Sequence, residues 1–460
     1  MEQYHQLAVS RVEDLIFGVS PRPLTLPGGL VIGRGVVYPE INFTLPPMSI
    51  SADTMPEVRK EYTQMIEGVC ARAVALQVPG LVVEFELLPD LTLTPQWGEE
   101  ITEILRKTLD RFAQSDGLKS ALRVTPNDIR EFERPPRMRS GPHWDNMTQS
   151  FERCARAGAD MLSIESTGGK ETHDDALLYG DLTSAVLSLG VMGCRDMAHL
   201  WDMIVDVAGR THTTPAGDTA CGFGNTAMTL AEMRHIPRVW AAVIRVMTVP
   251  RSLVAFERGA VGPSKDCAYE GPYLKAITGY PISLEGAEAA CAHSSPVGNI
   301  AKATADLWSN ESVQNVKLLG GMAPTVSLEQ LAYATRLMNT ATASGTQGAV
   351  TLRDWFVESD SRLDPQAFVL RPDVVIRLAG EIIRETTGYQ RTRRAALCTL
   401  EALRSAAAEG RFDLPPSEAA WLDRLSRQAD ALPEDEHAFI ETALPAIDAG
   451  KVRLEEYDLA

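Results

Sequence analysis

Short apolar runs alternate with amphipathic stretches between about residue 60 and residue 345, and this pattern constrains the fold more than any other feature. The runs have the length of buried strands, and the stretches between them have helical spacing. Ser327 and Gln330 predict a capping box for the last of these helices. The alternation favours an α/β fold with a parallel sheet, and we expect a (β/α)8 TIM-type barrel over 61–345, with a doubly wound sheet as the alternative. The clearest candidates are strands at 80–87, 121–124, 160–165 and 315–319 and helices at 98–113 and 326–343.

The flanking segments differ from this pattern. Segment 1–60 is expected to form a helix that ends at Gly18, followed by a hairpin of the apolar runs 28–32 and 35–38. Residues 346–460 have helical spacing without a strand signal, so we expect a helical C-terminal extension that packs on the barrel or on a partner.

The charge balance limits the classes of partner. The chain has 460 residues, with 44 Lys and Arg against 61 Asp and Glu, and its net charge is −17. Such a surface repels nucleic acid and anionic lipid. We see neither a signal peptide nor an apolar run long enough to span a membrane. The odd and widely scattered set of cysteines predicts a reduced, cytoplasmic compartment. The seven cysteines are scattered without a CxxC pair, so a metal site would have to be assembled from distant segments.

The glycine-rich stretch Gly168-Gly169-Lys170 does not make a nucleotide loop. A phosphate-binding loop of the Walker type would need Gly where Ile164 stands and Ser or Thr where Glu171 stands. The more informative residue is Glu165, which ends an apolar run in front of this polar loop. In a barrel that place is the catalytic face. A structural role, as a helix cap or as the ion-pair partner of Lys170, is equally compatible with the spacing.

Two cysteines lie in similar loops. Cys221 is in a loop of small residues in front of a helical stretch, Thr226–Arg234, and Cys267 is in a polar loop where Lys265 would favour the thiolate. For each of them, burial as a small apolar side chain is the simpler alternative. The pair Cys291 and His293 offers a further ligand or a proton relay, or only a loop contact. The remaining cysteines are expected in the core: Cys70, Cys154, Cys194 and Cys398.

One carboxylate and two thiolates make a plausible set of ligands for a catalytic zinc ion with an open fourth position. The gaps of 56 and 46 residues between Glu165, Cys221 and Cys267 fit successive βα units of a barrel better than a structural zinc knuckle.

Longer motifs around these residues resemble one family. Ala-Gly-Asp-Thr-Ala-Cys-Gly-Phe-Gly-Asn at 216–225 and Gly-Pro-Ser-Lys-Asp-Cys-Ala-Tyr-Glu-Gly at 262–271 are similar to the methanol:corrinoid methyltransferases of methanogens, as are 163–175 and 290–330. The resemblance implies a (β/α)8 barrel and one zinc ion per chain, bound by Glu165, Cys221 and Cys267. It also implies methanol as the methyl donor and a separate corrinoid protein as the acceptor, in a hetero-oligomer with or without a homodimeric core.

Within that resemblance, zinc would polarise the alcohol oxygen for attack by cobalt of the partner. None of the eight histidines fits the Asp-x-His-x-x-Gly motif of corrinoid carriers, so the corrinoid is expected on another chain. Asp218 is our first choice as proton donor to the leaving oxygen, ahead of Glu171, Lys265 and His293, because it is close to Cys221 in sequence. The alternatives are another methyl donor, such as a methoxylated compound or a methylamine, and a non-catalytic subunit that docks a corrinoid protein.

Overall fold

The computed structural model describes residues 3–44, 48–265, 267–286, 296–313, 317–319 and 321–460. Seven parallel strands form one sheet. In chain order they are β3 (Tyr38–Thr44), β4 (Leu81–Glu86), β5 (Ser120–Thr125), β6 (Met161–Ile164), β7 (Thr214–Asp218), β8 (Ser283–Glu285) and β9 (Leu307–Val313). Their order in the sheet is β7-β6-β5-β4-β3-β9-β8.

The segment 261–264 closes this sheet into a barrel. On one side, the backbone N–H groups of Val261 and Gly262 donate to the carbonyls of Pro215 and Ala216 in β7, at 2.9 and 2.8 Å. On the other side, Ser264 forms a parallel bridge with the segment that leads into β8. The predicted (β/α)8 barrel is therefore confirmed, and the doubly wound alternative is excluded because an open sheet would leave both edges unpaired.

Helices surround the barrel and continue beyond it. The helices up to the end of the barrel are α1 (Met55–Ala75), α2 (Pro89–Leu93), α3 (Pro95–Asp116), α4 (Pro142–Arg156), α5 (Lys170–Tyr179), α6 (Leu182–Val186), α7 (Cys194–Thr211), α8 (Thr226–Glu232), α9 (Arg238–Met247), α10 (Val249–Arg258), α11 (Gly271–Thr278) and α12 (Ala323–Ala343). Those that follow are α13 (Thr346–Asp360), α14 (Pro365–Phe368), α15 (Pro372–Ile382), α16 (Gly388–Ala408), α17 (Pro416–Asp430) and α18 (Glu436–Ala443). The stretch Arg238–Arg258, which comprises α9 and α10, is long and apolar enough to cross a membrane, but its apolar residues are buried in the fold.

The barrel interior changes character from one end to the other, because alternate residues of each strand face inward. At the amino ends of the strands, inward apolar side chains such as Val82, Met161 and Leu307 pack against Leu30 and Ile32 of an N-terminal hairpin. One layer further, buried Arg123 donates to Glu40 at 2.7 Å and to Ser163 at 2.8 Å. The next inward positions lie at the carboxyl ends: Asn42, Glu86, Thr125, Glu165 and Glu311.

Several predictions for the N-terminal segment are wrong. The expected helix before Gly18 is only a 3-10 turn, Val12–Asp14, because Ala8 and Val9 run extended and donate to carbonyls of α11. The hairpin pairs β1 (Val19–Thr25) with β2 (Val31–Arg34), since the chain turns earlier than expected, at 26–30.

The predicted boundary at residue 60 is wrong for a related reason. The run assigned to the second hairpin strand leads instead into β3, which pairs with β4 and β9 inside the barrel. The barrel therefore starts at Tyr38 and not at residue 61.

Two predictions near the end of the barrel also fail. The late barrel strand was expected at 315–319, of which 315 and 316 lie outside the described residues, but it is β9, Leu307–Val313. Its polar residues Ser309 and Glu311 hid it because they face the barrel interior. Lys317–Leu318 (β10) pairs with Gly321–Met322 (β11) in a small ribbon. Ser327 does not cap a helix, because α12 already begins at Ala323 and the Ser327 hydroxyl lies 3.3 Å from that of Ser312.

Candidate metal centre

Glu165, Cys221 and Cys267 meet at the carboxyl end of the barrel. Glu165 follows β6, Cys221 follows β7, and Cys267 follows the closing segment 261–264, so three neighbouring strand positions supply the three side chains. Their carboxylate oxygen and sulfur atoms all lie within 4.8 Å of one another. The Cys267 thiol donates to the Glu165 carboxylate at 3.0 Å, although the two residues are 102 positions apart. The cluster is therefore a product of the barrel closure.

The loop that carries Cys221 is built to approach its neighbours closely. It forms one π-helical turn, Cys221–Asn225, which continues directly into α8. A Cβ atom added at Gly224 would lie 3.2 Å from the Cβ of Ala268, so this glycine lets the Cys221 and Cys267 loops pack together. The Ala220 N–H donates to the buried carboxylate of Glu270 at 2.9 Å, which ties the two loops by a charge-assisted hydrogen bond.

The Cys267 loop is held by two more contacts around Ala268. The Ala268 N–H donates to the Thr219 hydroxyl at 3.0 Å, and its carbonyl accepts from the Arg245 guanidinium at 2.8 Å. Arg245 is fully buried, so this contact is shielded from water. The backbone that follows Cys267 is thereby fixed relative to β7, which limits the positions open to the thiol.

Lys265 is the main positive charge among these groups. Its ammonium nitrogen lies 3.1 Å from Glu165, 3.2 Å from Glu84 and 3.6 Å from Glu86, and 3.8 Å from the Cys267 sulfur. The Lys265 side chain is only 1 % exposed, so these attractions act in a medium of low dielectric constant. Lys265 therefore attracts not only the Cys267 sulfur, as the sequence predicted, but also three carboxylates.

The cluster is also acidic overall. The hydrogen bond with Cys267 lowers the pKa of the Cys221 thiol, but burial and the Glu165 and Glu285 carboxylates raise it more, to about 12. Burial and the charge of Glu165 likewise raise the pKa of Glu86 to about 7, against the opposing effect of Lys265. A cation placed among these groups would reverse both effects.

Comparison with known proteins identifies the family. The family model for the methanol-cobalamin methyltransferase B subunit matches residues 1–458. The chain belongs to this family. It is 36 % identical over 447 residues to the methanol–corrinoid protein co-methyltransferase of Methanosarcina barkeri, covering 96 % of each chain. It also matches a chain in the crystal structure of the methanol:cobalamin methyltransferase complex MtaBC from Methanosarcina barkeri, with a TM-score of 0.96, 35 % identity and full coverage of both chains.

As a member of this family, the chain is a methyltransferase. The next predicted site residue, Asp218, lies at the end of β7. Asp218 does not face the cluster. A bulge in the β6–β7 pairing sets Asp218 opposite Ile164, whose side chain packs outside the barrel. The Asp218 carboxylate accepts hydrogen bonds from Ser166 (side chain 2.6 Å, backbone 3.2 Å), the Thr219 N–H (2.8 Å) and the Trp201 indole N–H (3.1 Å).

The other candidates are spread around the site. Lys265 lies in the cluster, whereas Glu171 on α5 faces Arg134 at 3.5 Å, and burial raises the pKa of Glu171 to about 7. Cys291 and His293 lie outside the described residues. The cysteines expected in the core are buried: Cys70, Cys154, Cys194 and Cys398.

Sequence reasoning missed Glu84 and Glu86. Both belong to the run Leu-Val-Val-Glu-Phe-Glu of β4, where two acidic residues stand two positions apart in an otherwise apolar strand. That spacing puts both carboxylates on one face, and in a barrel strand with an apolar outer face they must point inward. The signal was present, but the run was interpreted only as a strand.

Proposed function

We propose that Glu165, Cys221 and Cys267 bind one zinc ion, and that the site activates methanol for transfer of its methyl group to a cobalamin carried by a separate corrinoid protein. The observation that carries the proposal is the convergence of these three side chains within 4.8 Å at the carboxyl end of the barrel. The family and the relatives named above support methanol as donor and a corrinoid protein as acceptor.

The donor set fits zinc better than other common ions. Two sulfur ligands exclude Mg²⁺ and Ca²⁺, which prefer oxygen, whereas zinc accepts sulfur and oxygen together in tetrahedral sites. Zinc–sulfur bonds of about 2.3 Å place two tetrahedral sulfur ligands about 3.8 Å apart. The mutual spacing of the three donor atoms, within 4.8 Å, accommodates this geometry after small side-chain rotations. Three protein ligands leave the fourth position for a substrate oxygen.

Lys265 balances the charge of this set. Two thiolates and one carboxylate carry three negative charges, one more than a zinc ion neutralises. The Lys265 ammonium group, 3.1 Å from Glu165, offsets that excess and holds the carboxylate in place. Glu84 and Glu86 also hold Lys265, at 3.2 and 3.6 Å, and Asn42 in turn donates to Glu86 at 2.8 Å.

When bound, zinc would supply Lewis-acid polarisation of the methanol oxygen. In the overall reaction the C–O bond breaks, a C–Co bond forms with the electron pair of cob(I)alamin, and the oxygen leaves as water after gaining a proton. The chain's own residues orient the alcohol at the carboxyl end of the barrel, where the partner protein must bring its corrinoid.

The proton donor proposed from the sequence needs a new assignment. Asp218 is buried and accepts its hydrogen bonds from Ser166, Thr219 and Trp201. We therefore assign it the task of holding the turn after Glu165. We also propose a reducing, cytoplasmic environment, because all six cysteines of the described residues are free thiols.

A donor panel tests the proposal. The zinc-loaded protein is mixed with cob(I)alamin or its corrinoid protein and with methanol, a methoxylated aromatic compound or a methylamine, and formation of methylcobalamin is followed by its absorbance. We expect methylation with methanol and no comparable rate with the other donors. Methylation only with another donor would contradict methanol as substrate, and no methylation with any donor would favour a docking subunit.

A further inference from the structure

The loop that carries Glu165 is held from several directions. Residues 165–169, here called the Glu165 loop, connect β6 to α5. Arg251 donates to the carbonyl of Ser166 at 2.8 Å, and Thr167 donates to Asp128 through its N–H at 2.8 Å and its hydroxyl at 3.0 Å. The loop ends in Gly168 and Gly169, of which Gly169 has a φ of +88°. Two consecutive glycines have a large conformational freedom, so the loop depends on such outside contacts.

One of these contacts comes from a segment at the far end of the sequence. Residues 452–459, here called the C-terminal strap, run past the Glu165 loop. The Tyr457 hydroxyl accepts a hydrogen bond from the Gly169 N–H at 3.1 Å, across 288 positions of sequence. The Tyr457 side chain is 1 % exposed, so water does not replace this contact when it is lost. A buried N–H without a partner is costly, and the loop would have to move to satisfy it.

The strap reaches the same loop by a second route. The Glu456 carboxylate accepts from the backbone N–H groups of Met138 and Arg139, at 3.1 and 2.9 Å. The Met138 carbonyl accepts from Arg130 at 2.9 Å, and Arg130 pairs with Asp128 at 2.7 Å. Asp128 is the residue that holds Thr167. Asp458 fastens the strap itself through a bidentate pair with Arg139, at 2.8 and 2.9 Å.

From these contacts we infer that the C-terminal strap, through the Tyr457 hydroxyl, positions the Glu165 carboxylate for metal binding. The inference rests on the proposed function, since it assigns Tyr457 as a positioning residue of the proposed zinc site. Tyr457 acts through the loop backbone and touches neither metal nor substrate. Its effect is therefore expected on the geometry of the metal ligands and on turnover, and only weakly on methanol binding.

The test compares Tyr457→Phe with Tyr389→Phe. Both side chains are buried, and the Tyr389 hydroxyl donates to the Pro433 carbonyl, away from the Glu165 loop. Zinc affinity is measured by competition with a chromophoric chelator, ligand geometry by the visible d–d bands of the Co²⁺-loaded protein, and kcat and KM by methanol-dependent methylation of cob(I)alamin. Thermal unfolding reports the stability of each variant. Asp458→Ala, an exposed change that removes the bidentate pair with Arg139, is a second variant.

We expect Tyr457→Phe to raise the zinc dissociation constant about 5- to 10-fold, in line with loss of one buried hydrogen bond. The Co²⁺ bands should shift, and kcat at saturating zinc should fall about 10-fold while KM for methanol stays within about 2-fold. Asp458→Ala should change the same quantities in the same direction by less, and Tyr389→Phe should keep the wild-type values.

Two results would overturn the inference while leaving the zinc site intact. One is a Tyr457→Phe protein with wild-type zinc affinity, Co²⁺ spectrum and kcat. The other is a Tyr389→Phe protein with the same changes as Tyr457→Phe, which would assign them to general stability. A wild-type protein that binds no zinc would overturn the proposed function and the inference together, so the two failures are distinguishable.

Discussion

The two ends of the barrel interior are lined by the same strands, but they carry opposite kinds of side chain. At the amino ends, Val82 and Met161 pack against Leu30 and Ile32 of the hairpin in a cluster of buried apolar residues. At the carboxyl ends of the same strands, the inward positions hold carboxylates, and Lys265 lies among them. A buried layer with Arg123 and Glu40 separates the two ends.

The difference between the two ends shows that one end of the barrel interior stabilises the fold and the other holds the candidate site. The apolar end contributes stability by removing carbon surface from water, which requires no exact geometry. The charged end is costly to bury and is tolerated because each group has a partner nearby. Substitutions at the charged end should therefore change metal binding and turnover, and substitutions at the apolar end should change the free energy of unfolding.

The largest effect is expected from the cysteines of the charged end. Cys221→Ala or Cys267→Ala removes a proposed ligand, so zinc should be lost and methanol-dependent methylation of cob(I)alamin should fall below detection. Zinc per chain is measured by atomic emission, next to unfolding by urea. Cys70→Ala, a change in the core, is the control and should keep about one zinc per chain. Full zinc content in either ligand variant would remove that cysteine from the site.

Glu165→Gln should have a smaller effect on metal than on turnover. The amide still offers one oxygen, but it has lost the charge that pairs with Lys265 at 3.1 Å. We expect zinc affinity to fall about 10- to 100-fold, with a larger loss in kcat at saturating zinc. Glu103→Gln, an exposed carboxylate paired with Lys107, is the matched control. An unchanged kcat in Glu165→Gln would show that Glu165 has no role in turnover.

A substitution at the apolar end should change only the free energy of unfolding. Leu30→Ala leaves a cavity under the barrel, and the free energy of unfolding should fall by about 2–4 kcal/mol. Zinc content and kcat should stay at wild-type values. Leu337→Ala, on an exposed position of α12, should change stability by less than about 0.5 kcal/mol. If Leu30→Ala releases zinc from the folded protein, the two ends do not act separately.

The smallest effect concerns Asp218, the last residue of β7, whose side chain faces away from the barrel interior. Burial raises the pKa of Asp218 to about 6, although Arg251 opposes this. The folded protein therefore keeps a proton that the unfolded chain has released, and the free energy of unfolding falls as the pH rises through this range. Asp218→Asn does not titrate, so between pH 5 and pH 7 it should lose less stability than the wild type in urea unfolding. Equal losses would show that Asp218 is ionised throughout.

The alternation of strands and helices in the barrel could be predicted from the sequence, because the outer faces of the strands and the helices have regular apolar periodicities. It failed where a strand faces a polar interior. Leu307–Val313 carries Ser309 and Glu311 at inward positions and Asn310 between them, so its pattern does not resemble a buried strand. The β3 strand, Tyr38–Thr44, was missed because its neighbouring apolar run suggested a local hairpin, whereas its real partners lie far away in sequence.

The candidate site was predictable to a different degree for each residue. Glu165, Cys221 and Cys267 were found because each follows a strand position in a long motif, and the structure brings them together. The direction of Asp218 was not predictable, since one bulge between β6 and β7 turns it to the outer face. The contact between Tyr457 and Gly169 was equally hidden, because no local pattern links residues 288 positions apart.

The most direct test of the account is zinc X-ray absorption spectroscopy on the purified protein. A metal bound by Glu165, Cys221 and Cys267 should show two sulfur scatterers at about 2.3 Å and nitrogen or oxygen scatterers at about 2.0 Å. In Cys267→Ala, any zinc that remains should have lost one sulfur scatterer. A wild-type spectrum with no sulfur ligand, or with four, would contradict a zinc site built from one carboxylate and two thiolates.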